Sequence, residues 1–255
     1  NAYDAHLANG NADRPFDVLL PNTYDSFFAV RDYGCSMTHE RVMGLYSTVF
    51  ESTKDQDNTA VGQLGLGSKS PFAYSDTFTV TCWLDGEKRV YTAYLGEDEI
   101  PRIDLMLAEP SDEPQGVEVR VPTSRHDEST FLTRVKELAY GFDVLPTIKG
   151  RTNFTLDARE IAFQGPGWRL FKKQGYSSEK MGIRQGCVIY PFNEDAVSGL
   201  SGEAEGLADL PIVIDFPIGE VDFTPSREEI SYNAQTQKNL VARVNAFAES
   251  FIGVY

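Results

Sequence analysis

"VGQLGLGSKSPFAY", residues 61–74, sets three glycines close together ahead of a Lys-Ser pair, the composition of a loop that holds phosphate. It fits neither common phosphate-loop pattern. Walker A requires Gly, four residues, then Gly-Lys-Ser/Thr. Gly62 and Gly67 are in register for it, but Ser68 stands ahead of Lys69 and Ser70. The dinucleotide pattern G-x-G-x-x-G begins at Gly65 and Gly67 and then meets Ser70. The inserted Ser68, and the lack of a strand ending tightly at Gly62, argue against a P-loop fold and leave Lys69 as a solvated or capping residue. Backbone N–H groups at Gly62, Gly65 and Gly67 could still approach phosphate oxygens at the start of a helix, whose dipole favours anions. A glycine cluster alone is weak evidence, so its neighbours decide.

Two further clusters precede it, "NAYDA" at residues 1–5 and "DYGCSM" at residues 32–37. Asn1 reads as helical, with Asp4 and Ala5 a turn later on the same face. A carboxamide oxygen there suits a hard cation such as Mg²⁺, which keeps most of its waters and takes few protein ligands. Asp32 closes a buried-looking strand and is followed by Gly34. A carboxylate in that place can accept a hydrogen bond from the exocyclic amine of a base, with Met37 packing on the ring. Metal ligand, amine reader and phosphate cradle thus follow one another within the first 70 residues.

The surrounding pattern is α/β. "FDVLL" and "SFFAV" are strand-length apolar runs joined through Pro-Asn-Thr. Thr38 is an N-cap for a helix carrying Val42, Leu45, Tyr46 and Val49. "DTFTVTCWL" and "GEKRVYTAYL" form a hairpin through Asp85-Gly86, and "GVEVRVP" is an alternating strand. "DESTFLTRVKELAYGF" predicts an amphipathic helix with Phe131, Val135, Leu138, Ala139 and Phe142 on one face. "EDEIPR" and "EPSDEPQ" read as charged turns. Beyond "DVLPTIKG" the character changes: "TNFTLD", "REIAF", "GCVIYPF" and "PIVIDFPI" are short strands, "SGLSGEAEGLAD" is a surface loop, and a last helix carries Leu240, Val241, Val244, Phe247, Ala248 and Phe251. Two domains are expected, residues 1–144 and 145–255.

The chain has 255 residues, a formal net charge of -15 and a sequence pI near 4.6. Phosphate neutralisation needs clustered Lys and Arg, so direct nucleic-acid binding is not expected. Cys35, Cys82 and Cys187 are odd in number and far apart, with no zinc spacing, which predicts reduced thiols in a cytoplasmic protein. The chain opens inside a helix without Met, so an incomplete N-terminus is expected.

The three clusters, in this order, resemble the ATP-binding motifs of the gyrase, heat-shock-protein-90, histidine-kinase and MutL ATPase superfamily, the Bergerat fold. "NAYDA" resembles its N-A-x-D-A helix. "DYGCSM" resembles D-x-G-x-G-M, with Ser36 in place of the last Gly. "GQLGLGSKS" is similar to the chaperone loop G-Q-x-G-x-G-x-x-S. The resemblance implies an N-terminal α/β sandwich followed by a smaller α+β domain like the heat-shock-90 middle domain. It implies a site for ATP or ADP with Mg²⁺ at Asn1. Asp4, Asp32, Gly34, Met37, Lys54 and the loop residues Gly62, Gln63, Leu64, Gly65, Leu66, Gly67 and Ser68 would bind the nucleotide. Thr79 would support Asp32, and residues 38–61 would form the lid. "VDFTPSREEIS" resembles the middle-domain segment whose Arg contacts the γ-phosphate, here Arg227; the chaperone's Gln four residues later is Ser231. The superfamily's general base lies one helical turn before Asn1, outside this chain.

"LGLGSKSPFAYSDTFTVT" and "IGEVDFTPSREEISY" look most like the rIIA-type proteins of T-even-like bacteriophages. That likeness implies action in the host bacterial cytoplasm, with association with the inner membrane or with a phage or host protein, and a homodimer. Three readings stay open: an ATP phosphohydrolase, a nucleotide-gated binding module without catalysis, and a histidine-kinase-like phosphotransferase.

Overall fold

The computed structural model describes residues 1–47, 69–173, 180–224 and 229–254. The chain divides into two units, Asn1–Ala139 with Val144–Leu156, and Tyr140–Asp143 with Asp157–Tyr255.

The first unit begins with helix α1 (Ala2–Ala8) and strands β1 (Asp17–Leu19) and β2 (Phe27–Arg31), then helix α2 (His39–Ser47). Strands β3 (Thr77–Leu84), β4 (Glu87–Leu95), β5 (Pro101–Pro110) and β6 (Gly116–Pro122) follow, then helix α3 (Glu128–Ala139) and strand β7 (Thr147–Lys149). They build one seven-stranded sheet in the order β5-β4-β3-β6-β2-β1-β7. Its neighbours are antiparallel except for β1 and β7, which run parallel. The hairpin at Asp85-Gly86 forms as expected: both residues have positive φ, 53° and 77°, the turn geometry whose twist matches two paired strands. Thr38 caps α2, its hydroxyl accepting the Arg41 N–H at 3.3 Å.

Strand alternation sorts the two faces of this sheet. Phe78, Val80 and Cys82 of β3, with Tyr91, Ala93, Ile103, Val117 and Val121, form a core closed by Val42 of α2. Phe28, opposite Val121, stacks on Phe131 of α3 with ring centres 5.0 Å apart. α2 and α3 therefore cover one face, the two-layer α/β arrangement that was expected. On the other face Asp17, Arg31, Glu118 and Thr81 stand in one cross-strand row. Lys149 donates to Asp17 at 2.6 Å, Tyr33 donates to the same carboxylate, and the Arg31 guanidinium lies 3.5 Å over the Trp83 ring.

The first unit departs from the sequence reading in three places. Between the two charged turns runs a strand, β5, at the sheet edge, with a bulge opposite Val90 and Tyr91. Leu138 is 58% exposed, so the α3 face is narrower than its spacing suggested. Thr147–Lys149 pair with β1, so the first unit continues to Leu156, past the expected change at residue 145.

The second unit holds a five-stranded sheet in the order β11-β10-β12-β9-β8. Its strands are β8 (Ile161–Gly165), β9 (Trp168–Phe171), β10 (Gly182–Gln185), β11 (Val188–Pro191) and β12 (Ile212–Phe216). Helix α5 (Ala234–Val254) lays Leu240, Val244, Phe247 and Ala248 into its core, and Trp168 packs edge-on against Phe247 at 5.2 Å. Two expectations are corrected here. "TNFTLD" is not a strand. The "SGLSGEAEGLAD" loop contains helix α4 (Gly202–Leu207), capped by the Ser201 hydroxyl on the Ala204 N–H at 3.2 Å and anchored by fully buried Ala204.

Candidate functional site

The end of β2 is where two of the sequence motifs, residues 1–5 and 32–37, meet. α1 sits directly on the turn that leaves β2. A Cβ on Gly34 would lie 2.3 Å from the Ala5 carbonyl, so only glycine lets helix and turn approach this closely. The Cys35 N–H donates to the Ala5 carbonyl at 3.3 Å. His6, 1% exposed, holds the same turn: its Nε2 accepts the Tyr33 N–H at 2.8 Å, and its Nδ1–H donates to the Arg14 carbonyl at 2.9 Å. Those two partners fix the neutral tautomer. Asn11 adds a bond from its side-chain amide to the Tyr33 carbonyl at 2.7 Å.

Asp32 lies at the centre, 7% exposed. Its backbone N–H donates to the Val117 carbonyl at 2.8 Å. Its Oδ1 accepts two backbone N–H groups, Gly34 at 3.0 Å and Val117 at 3.3 Å. Its Oδ2 takes no hydrogen bond among the described residues. Burial raises the carboxyl pKa, while the two N–H donors and Arg31 act against that rise. One oxygen of this carboxylate is held by the backbone, and the other, which is not sealed from solvent, can accept a donor from outside.

β6 backs this carboxylate. Gly116 has φ +145°, and a Cβ on it would stand 2.1 Å from the Asp32 carbonyl oxygen. The Gln115 side-chain amide donates to the Gly34 carbonyl at 3.3 Å, and Ser36 Oγ donates to the Gly116 carbonyl at 3.0 Å. Val117 stands opposite Cys82 of β3. The Cys82 thiol contacts the Met37 N–H and the Ser36 hydroxyl, and burial pushes its pKa up to about 11. Met37 is half-buried and packs on the core cluster.

Asn1 and Asp4 lie on the same short helix. Asn1 caps α1 through its backbone carbonyl, which accepts the Ala5 N–H at 2.9 Å, and its side chain makes no capping bond. Its carboxamide oxygen is thereby available to a cation, and one protein ligand with several waters is the pattern Mg²⁺ favours.

The structure brings Asn1, Asp4, Asp32, Gly34 and Met37 to one helix and the turn it packs on. It does not bring Thr79 there. Thr79 pairs with Thr92 and Arg120, and on β3 the face of Val117 belongs to Phe78, Val80 and Cys82. The backbone support of Asp32 comes from Val117 instead. Lys54, the loop from Gly62 to Ser68 and Arg227 lie outside the described residues. Gln115, Gly116 and Val117 escaped the sequence reading, although a glycine opening an alternating strand signals close backbone approach.

No family model matches the chain, and no curated protein matches it. Among solved structures it is similar to the ATPase region of Saccharomyces cerevisiae topoisomerase II, with a TM-score of 0.58 at 12% identity, over 100% of this chain and 83% of that one. At that identity the likeness is one of fold alone, a mixed α/β architecture with two sheets. No helix among the described residues is long and apolar enough to cross a membrane.

Proposed function

We propose that the chain is a Bergerat-type module that binds and hydrolyses ATP. The observation that carries this reading is Asp32: buried, one oxygen held by two backbone N–H groups, the other unspent. The 6-amino group of adenine is a donor that such an acceptor can take. The fold likeness to a region described as an ATPase supports the same reading.

Met37 covers the base, and the N–H groups of Gly62 to Ser68 take the phosphates, with Lys54 as a further contact. Asn1 would hold Mg²⁺, which would supply charge to neutralise the phosphate oxygens. Arg227 meets the γ-phosphate and stabilises charge developing there as the phosphoryl group is transferred. Residues 38–61 close as a lid, and closure rearranges the two units and a homodimer. A second domain of the heat-shock-90 middle type and an rIIA-like role in an infected bacterium are the finer form of this proposal. It rests on the phrasing of residues 64–81 and 218–232.

The test uses the full-length protein. Asp32→Asn weakens ATP binding by roughly 1–3 kcal/mol, the cost of mispairing a buried polar group. Arg227→Ala leaves binding largely intact and lowers turnover. Unchanged affinity in Asp32→Asn would sink the adenine reading. Binding without turnover, indifferent to Arg227→Ala, would replace hydrolysis by a nucleotide-gated module.

A further inference from the structure

The turn at residues 32–36 is tied to β6 and the residue before it by four hydrogen bonds, and one of them acts on another. Asp32 and Val117 exchange two: Asp32 N–H to the Val117 carbonyl, and Val117 N–H to Asp32 Oδ1. Gln115 reaches the Gly34 carbonyl. The fourth runs from Ser36 Oγ to the Gly116 carbonyl at 3.0 Å. That carbonyl and the Val117 N–H belong to the same peptide unit. A peptide unit is planar, so fixing its C=O direction fixes its N–H direction. Ser36 thus holds one end of the plane whose other end donates to Asp32 Oδ1. A hydrogen bond accepted by the carbonyl also strengthens donation by the N–H of that unit.

Gly116 makes this restraint matter. Its φ of +145° lies in a region that side-chain-bearing residues rarely adopt, and it must remain Gly because a Cβ would meet the Asp32 carbonyl at 2.1 Å. A glycine peptide has the most freedom to rotate. The Ser36 hydroxyl adds a restraint on the carbonyl side to those that pairing with β3 and the Asp32 bonds already supply.

We propose that Ser36 is a positioning residue for base selection. By orienting the Gly116–Val117 peptide it keeps Asp32 Oδ1 occupied and leaves Oδ2 as the acceptor. A 6-aminopurine then has its donor met, whereas a 6-oxopurine sets an acceptor against an acceptor. This rests on the adenine reading of Asp32 given above. Without the hydroxyl the peptide turns more freely, the carboxylate follows, and the two purines are told apart less well.

The experiment measures equilibrium affinities of the full-length protein for ATP and for inosine triphosphate, which differs in carrying a carbonyl in place of the 6-amino group. The proteins are wild type, Ser36→Ala, Ser36→Gly and Asp32→Asn. Wild type prefers ATP. Ser36→Ala, which keeps the Cβ and removes only the hydroxyl, lowers that preference by about two- to ten-fold, the effect of one hydrogen bond, through weaker ATP binding. Ser36→Gly does the same. A thermal melt accompanies each variant, and a lower Tm with both nucleotides weakened equally shows a merely structural role and overturns the proposal. If Asp32→Asn abolishes the preference and both Ser36 variants keep it, the adenine reading stands and the role of Ser36 falls. If Asp32→Asn keeps the wild-type preference, the adenine reading falls and takes this inference with it.

Discussion

Gly34 and Ala5 meet backbone to backbone, close enough that a Cβ on Gly34 would overlap the Ala5 carbonyl at 2.3 Å. Neither partner is the tip of a flexible side chain, so the contact cannot be relieved by a rotamer change. Gly34→Ala must push α1 away from the turn after β2. The expected cost is at least about 1–3 kcal/mol, the usual range for overpacking a tight contact. Urea denaturation measures it. Because α1 carries Asn1 and Asp4, ATP affinity falls in the same variant. Full stability in Gly34→Ala would show that helix and turn are not locked together.

The buried Asp32 carboxyl has its pKa raised by desolvation. Amine recognition uses the ionised form, so ATP affinity drops on acidification at a higher pH than an ordinary carboxylate, with pKa about 3.9, would give. Stability carries the opposite sign. A carboxyl raised in the folded state favours folding below its unfolded pKa, and that contribution is lost as pH rises through the folded pKa. The stability of wild type relative to Asp32→Asn therefore declines as pH rises from about 4. Unfolding midpoints of the two proteins across pH check it, and a rising difference would contradict a desolvated Asp32.

Cys35 is exposed, while Cys82 is buried with its thiol pKa raised to about 11. Thiolate is the reacting species, and near pH 8 about one in a thousand such thiols is ionised. Maleimide labelling followed by peptide mass spectrometry is expected to mark Cys35 quickly and Cys82 only once the protein unfolds. Equal rates would mean that the β3 face opens readily under native conditions.

In the second unit, Leu240 is 0% exposed in the core. Leu240→Ala is expected to cost about 2–5 kcal/mol through lost burial and the cavity left behind. Leu138→Ala on α3, at 58% exposure, is expected to change stability by about 0.5 kcal/mol or less. Chemical denaturation of both variants distinguishes a side chain on an apolar stripe from one in a core.

What the sequence disclosed follows the range of the interactions. The Asp85-Gly86 hairpin and the Thr38 cap were legible because their determinants lie within four residues. β5 was hidden because seven of its residues in a row are exposed, so no polar-apolar alternation marks it. α4 is six residues long with glycine at its first position, too short for periodicity to register. At the site, Asp32 was legible from a local feature, a carboxylate closing an apolar strand. Its support was not. Taking β3 as the supporting strand led to Thr79, but β6 stands between β3 and β2 in the sheet. Strand order is settled by packing over long separations, and alternation within a strand does not reveal its neighbour.

Lys149 and Asp17 are 132 residues apart in the chain, yet they close the sheet at β7. During synthesis β1 emerges early, and its outer edge stays open until the ribosome has added residue 149. Loop closure over such a span is entropically costly and slow. The strand pairings of the second unit join much closer segments. A nascent chain stalled shortly before residue 147 would hold the Asp32 turn without the last strand of its sheet. Such a chain exposes a bare edge, which makes this the interval in which the growing polypeptide most needs shielding from self-association.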